Sequence, residues 1–126
     1  MNTAPSNNRQ CLITAWTDER HASTAAFRRR ELSTAWAHLE RAHIISQPMA
    51  GRHVRTHVAM LQFAVRTHRP QELVGQLFRT LVAAPGSWSG RYPVGNTGGA
   101  DVSAFAPMPV PDDLQRLLER AIEVAL

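Results

Sequence analysis

The chain contains no lysine, one cysteine and one tyrosine, and aromatic residues make up only 6% of it. The single thiol, Cys11, excludes an internal disulfide framework and every zinc ribbon built on cysteines. It lies in a polar stretch and reads as incidental. No apolar run approaches the roughly 20 residues that a membrane span needs. The opening MNTAPSNNRQ lacks the apolar core of a secretory signal. The expectation is a soluble, cytoplasmic protein with no membrane partner. Without lysine, the basic charge rests on arginine alone: 14 basic residues against 10 acidic ones give a net +4. A basic chain can bind nucleic acid. Here the arginines are spread out, and only Arg28-Arg29-Arg30 forms a run, closed at once by Glu31. There is no helix-turn-helix spacing and no aromatic stacking motif, so nucleic acid is not the expected partner.

What is present is an ordinary globular balance, 44% apolar and 19% charged over 126 residues, enough for one small core. Residues 1–22 are polar and nearly aperiodic and read as a mobile arm with at most one short docked turn. Residues 23–126 read as a single helical domain. A first helix is expected from about Thr24 to Ser46, with Leu32, Trp36, Leu39 and His43 on one stripe. Pro48 and Gly51 stop it. A second helix is expected over 51–68 with Val54, His57, Leu61 and Val65 on its stripe. A third is expected over 70–84, begun by Pro70 and Glu72 and ended by Pro85-Gly86. The stretch 85–111 holds five glycines and five prolines together with Trp88, Tyr92, Phe105 and Met108. It is expected to lie as a long ordered loop across the bundle. A last helix is expected over 111–124, with Asp112 and Asp113 at its start. The architecture is therefore all-α: a small antiparallel bundle of three core helices plus a C-terminal helix. A bundle of this size can leave an apolar face uncovered, so a homodimer is a possible assembly.

Chemistry concentrates in the histidines. There are six, and four lie between positions 38 and 57. On a helical wheel His43 points into the core and His38 points out. Glu40 and His43 form a Glu-x-x-His pair whose side chains converge, with Gln47 on the same edge. His53 and His57 stand four apart on the apolar face of the next helix, a spacing that chelates a metal through two imidazoles. A short turn between the helices brings both pairs to one end of the bundle. Glu40, His43, His53 and His57 are therefore the expected ligands of one transition-metal ion. Zn(II), Fe(II), Co(II), Ni(II) or Cu(II) suits such a set better than Mg or Ca. Met60 reads as a core methionine that would favour copper if it reached the ion. Glu72 and Gln76 on the third helix, together with Gln47, are candidates for a further ligand or for holding an imidazole from behind. The glycine-rich run 90–99 is neither a P-loop nor a dinucleotide fingerprint. It reads as a tight turn, or as a lid whose Arg91 or Asn96 meets a ligand.

The strings Leu39-Glu40-Arg41-Ala42-His43-Ile44, His53-x-x-x-His57-x-x-Met60-Leu61 and Gly90-Arg91-x-Pro93-x-Gly95-Asn96-Thr97-Gly98-Gly99 resemble a family of small bacterial helical proteins of unknown function. The family is associated with gene islands for handling heavy metals. The resemblance spans about residues 25–115. It implies a metal-related role and transfers no catalytic residue. Two functions are therefore expected in order. The first is a transition-metal-binding protein serving metal sensing, buffering or resistance. The second is a module without metal that docks an anionic partner (nucleic acid or protein) through its arginine-rich helices and the glycine-rich loop.

Overall fold

The computed structural model describes residues 4–103 and 105–123. It is all-helical: α1 (Ala4–Arg28), α2 (Leu32–Ser46), α3 (Ala50–Arg66), α4 (Pro70–Ser89) and α5 (Asp112–Glu123). Packing is closest within two hairpins, α1 with α2 and α3 with α4, and α2 against α3 joins them. α5 closes the bundle against α1 and α2.

The expected N-terminal arm is instead a helix of 25 residues. Its inward face is Leu12, Trp16, Ser23 and Ala26, of which Leu12, Ser23 and Ala26 are buried and Trp16 half-buried. Much of that face is small or polar, so the hydropathy period is faint while the packing is real. Ser23 Oγ donates to the Ala35 carbonyl at 2.8 Å, and Trp16 Nε1 donates to Thr56 Oγ1 at 2.9 Å. Small residues let backbones approach, and hydrogen bonds satisfy the polar groups that approach buries.

The expected first helix is also divided. α1 ends where the Glu31 amide bonds the Ala26 carbonyl and the Arg30 amide bonds the Phe27 carbonyl. Arg30 carries the left-handed φ of +61° between them. This is a Schellman ending. α3 ends the same way at His68, φ +53°, with Arg69 bonded to Ala64. Only the third such ending, Gly90 after α4, uses the residue that advertises it. α4 runs through Pro85, which the sequence reading took as its stop. The irregular segment therefore begins at residue 90.

Two apolar clusters hold the bundle. Ala26, Ala35, Leu39, Ala59, Met60 and Phe63 form one, with Phe27, Leu32 and Trp36 against it. Phe63 stacks edge-on to Phe27 at 5.7 Å and tilted to Trp36 at 5.1 Å. Leu12, Ile44, Ile45, Met49 and Leu114 form the other. Around Asp113 of α5, Arg41 ties Asp113 and Glu19 together. No helix among the described residues is long and apolar enough to cross a membrane.

The segment after α4 folds inward. Gly95, Asn96, Gly98 and Gly99 are buried. Asn96 Nδ2 donates to the Ser103 and Ala106 carbonyls, and its Oδ1 accepts the Gly98 amide. Gln47 locks the segment to α2: its Nε2 donates to the Pro93 carbonyl and its Oε1 accepts the Gly95 amide. The second half of the glycine-rich run is thus packed inside the fold.

Candidate metal centre

α2 contributes His43, three residues before its end. α3 contributes His53 and His57, one turn apart on one face. The α2–α3 turn is short, so the three imidazoles meet. Their exposures are 3%, 5% and 2% respectively. The three Nε2 atoms form a near-equilateral triangle: 3.0 Å from His43 to His57, 3.0 Å from His43 to His53 and 3.2 Å from His53 to His57. Among the described residues this is the group whose ligand atoms come together.

The other ring nitrogens fix the protonation. His43 Nδ1 lies 2.7 Å from the Asn96 carbonyl, which can only accept. Gln76 Nε2 donates to Glu72 and to the Gly98 carbonyl, so its Oε1 is left to accept from His57 Nδ1 at 2.7 Å. Ser87 gives its hydroxyl proton to the Gln47 carbonyl, so it accepts from His53 Nδ1 at 2.7 Å. Each imidazole therefore carries its proton on Nδ1. Three bare Nε2 lone pairs then face one another at contact distance.

An extra proton among them is disfavoured. Burial pushes His53 down to about 3, with the neighbouring His57 adding to the effect. Burial pushes His57 down to about 4, assisted by the Arg79 guanidinium and opposed by the hydrogen bond to Gln76. Burial, then His57 and His53, hold His43 well below the ordinary imidazole value. At neutral pH the triad is uncharged, converging and without internal hydrogen bonds. Such a donor set fits a cation.

The predicted carboxylate ligand does not join. Glu40 shares no group with the histidines. It stands half-buried beside Trp36, near Asp101 and Glu72, and burial raises its pKa. The i, i+3 spacing placed it on the flank of α2, but only His43 reaches the α3 side. Glu72 accepts from Gln76 and from the Ala100 amide, one step behind His57. Gln47 acts from behind in the same way, through Ser87. Met60 lies in the apolar cluster, as the core reading has it. Asn96 spends its side chain on the loop and orients the His43 ring through its backbone carbonyl. Arg91 is exposed at the edge of a cavity of about 300 Å³ whose wall includes all three histidines. His38 pairs with Glu19 outside the site.

Ser87 and Arg79 were not anticipated. Ser87 was placed in a loop because Pro85 reads as a helix end. On the continued α4, Gln76, Ala83 and Ser87 share one face at i, i+7 and i+11. That spacing is the signal that locates Ser87. Arg79, one turn after Gln76, lies beside that face and lines the cavity.

The chain belongs to the family described as protein of unknown function (DUF3703), whose profile matches residues 10–118. No curated protein and no solved structure matches the chain.

Proposed function

We propose that this member of the family binds one divalent first-row transition metal through Nε2 of His43, His53 and His57, with a coordination position open to the adjoining cavity. The single observation that carries the reading is the triangle of deprotonated Nε2 atoms, each ring held by a hydrogen bond from behind. Metal-ligating histidines are commonly oriented in that way. Tetrahedral coordination at about 2.0–2.1 Å places ligand nitrogens about 3.3 Å apart, so the triangle needs to widen by only a few tenths of an ångström. Three neutral imidazoles suit zinc first, and cobalt, nickel, copper or iron after it. Metal handling (sensing, buffering or resistance) is the role proposed for it. Three protein ligands beside a cavity resemble an exchanging site more than a closed structural one.

The test is elemental mass spectrometry on protein purified without a histidine tag, beside His43→Ala and the His53→Ala/His57→Ala double variant. About one metal ion per chain, lost in both variants, is expected. Wild-type protein that stays folded yet takes up none of the five metals overturns the reading.

A further inference from the structure

The cavity over the triad has a charge that nothing in its wall balances. Its lining includes Arg79 and Arg91 and no carboxylate. Arg79 is 7% exposed. Its Nη2 donates to the Val102 carbonyl, and no carboxylate among the described residues stands at ion-pair distance from it. Glu72 and Asp101 are near enough to act on its charge but do not line the cavity. A buried guanidinium with no carboxylate in direct contact is costly. A divalent ion on three neutral imidazoles beside it raises the local charge further. The same wall has an apolar stretch in Val82, Pro85 and Phe105.

We propose that this cavity takes a small carboxylate-bearing ligand. One carboxylate oxygen fills the open position on the metal, Arg79 grips the carboxylate, and the apolar body packs on Val82, Pro85 and Phe105. The inference rests on the metal reading above. Arginine suits the role because its planar fork matches a carboxylate in two hydrogen bonds. The apolar stretch distinguishes an organic acid from a bare inorganic anion.

Cobalt(II) makes the site visible, because its visible absorption reports both occupancy and the number of ligands. The cobalt-loaded full-length protein is titrated with azide, acetate and benzoate, and the same is done with Arg79→Met, Arg79→Lys and Phe105→Ala. Both carboxylates should change the cobalt spectrum without releasing cobalt, and benzoate should bind about tenfold more tightly than acetate. Arg79→Met should weaken both by about tenfold or more while cobalt binds at least as tightly, because a neighbouring positive charge has been removed, and Arg79→Lys should fall between. Phe105→Ala should narrow the gap between benzoate and acetate. Cobalt bound with no response to either carboxylate overturns this proposal alone, as does equal carboxylate binding in Arg79→Met. A response to azide only, or cobalt stripped by the acids, overturns it too. Folded protein that takes up no cobalt overturns the metal reading and this proposal with it.

Discussion

The Nε2 atoms of His43 and His57 lie 3.0 Å apart, and each ring donates its Nδ1 proton away from the other, to Asn96 and Gln76. Two acceptors held at that distance repel unless something positive lies between them or beside them. The surrounding fold over-determines the arrangement: Asn96 is fixed by three hydrogen bonds of its side chain, and Gln76 by Glu72 and Gly98.

Gly98 tests whether His43 must sit where it does. Its φ is +83°, and a Cβ there would lie 2.6 Å from His43 Cδ2. Gly98→Ala should displace the imidazole and lower metal affinity about tenfold or more, with helix content retained on circular dichroism. Gly51→Ala meets nothing within 4 Å and should change neither quantity. Equal metal affinity in Gly98→Ala and wild type, in a competition titration against a chromophoric chelator, removes His43 from the site.

Gln76 tests the support behind His57. Gln76→Leu removes the acceptor of the Nδ1 proton and leaves that donor buried. Metal affinity should fall about 10- to 100-fold by the same competition titration. Ser87→Ala should cost less, because His53 is the more accessible ring and water can replace the hydroxyl. The reverse order of the two losses would contradict the assignment.

The metal-free protein should lose stability in acid over a defined window. The folded-state values of His53 and His57 are depressed to about 3 and about 4, and His43 is depressed as well. Below about pH 6.5 the unfolded chain takes up protons that the folded triad refuses. Stability is therefore full above that pH and falls as the pH drops toward 4, by on the order of 1 kcal/mol per pH unit for each histidine. Urea unfolding between pH 7.5 and 4.5 checks this. His43→Phe/His53→Leu/His57→Leu should flatten the slope, and an unchanged slope counts against the buried triad.

The first helix is structural. Deleting residues 1–22 exposes the faces of α2 and α5 that Leu12, Ile13 and Trp16 cover. It also removes the Trp16–Thr56 hydrogen bond. The truncated chain should unfold non-cooperatively in thermal melts. Thr56→Val, which deletes only that bond and those beside it, should cost about 1 kcal/mol. A truncated chain with the melting temperature of the full one would restore the reading of these residues as a mobile arm.

The sequence by itself determined the helical architecture and the three histidines of the buried triad. Spacing of three and four brought His53 and His57 to one face and turned His43 inward, because helical geometry is local and fixed. It also flagged Gln47, Gln76 and Glu72, as further ligands or as supports behind an imidazole. Only the tertiary structure decided the rest. α1 was hidden because its buried face is built from Ser23, Ala26 and other weakly hydrophobic residues whose partners lie on α2. The end of α1 was hidden because Arg30 takes a left-handed conformation that glycine usually marks. Pro85 read as a stop, yet a proline removes one backbone donor and does not forbid a helix that packing sustains. Glu40 stands apart from the three histidines and Ser87 stands behind His53 for the same reason. The angle on a wheel places a side chain on a face, but which neighbour that face meets depends on how the hairpins cross.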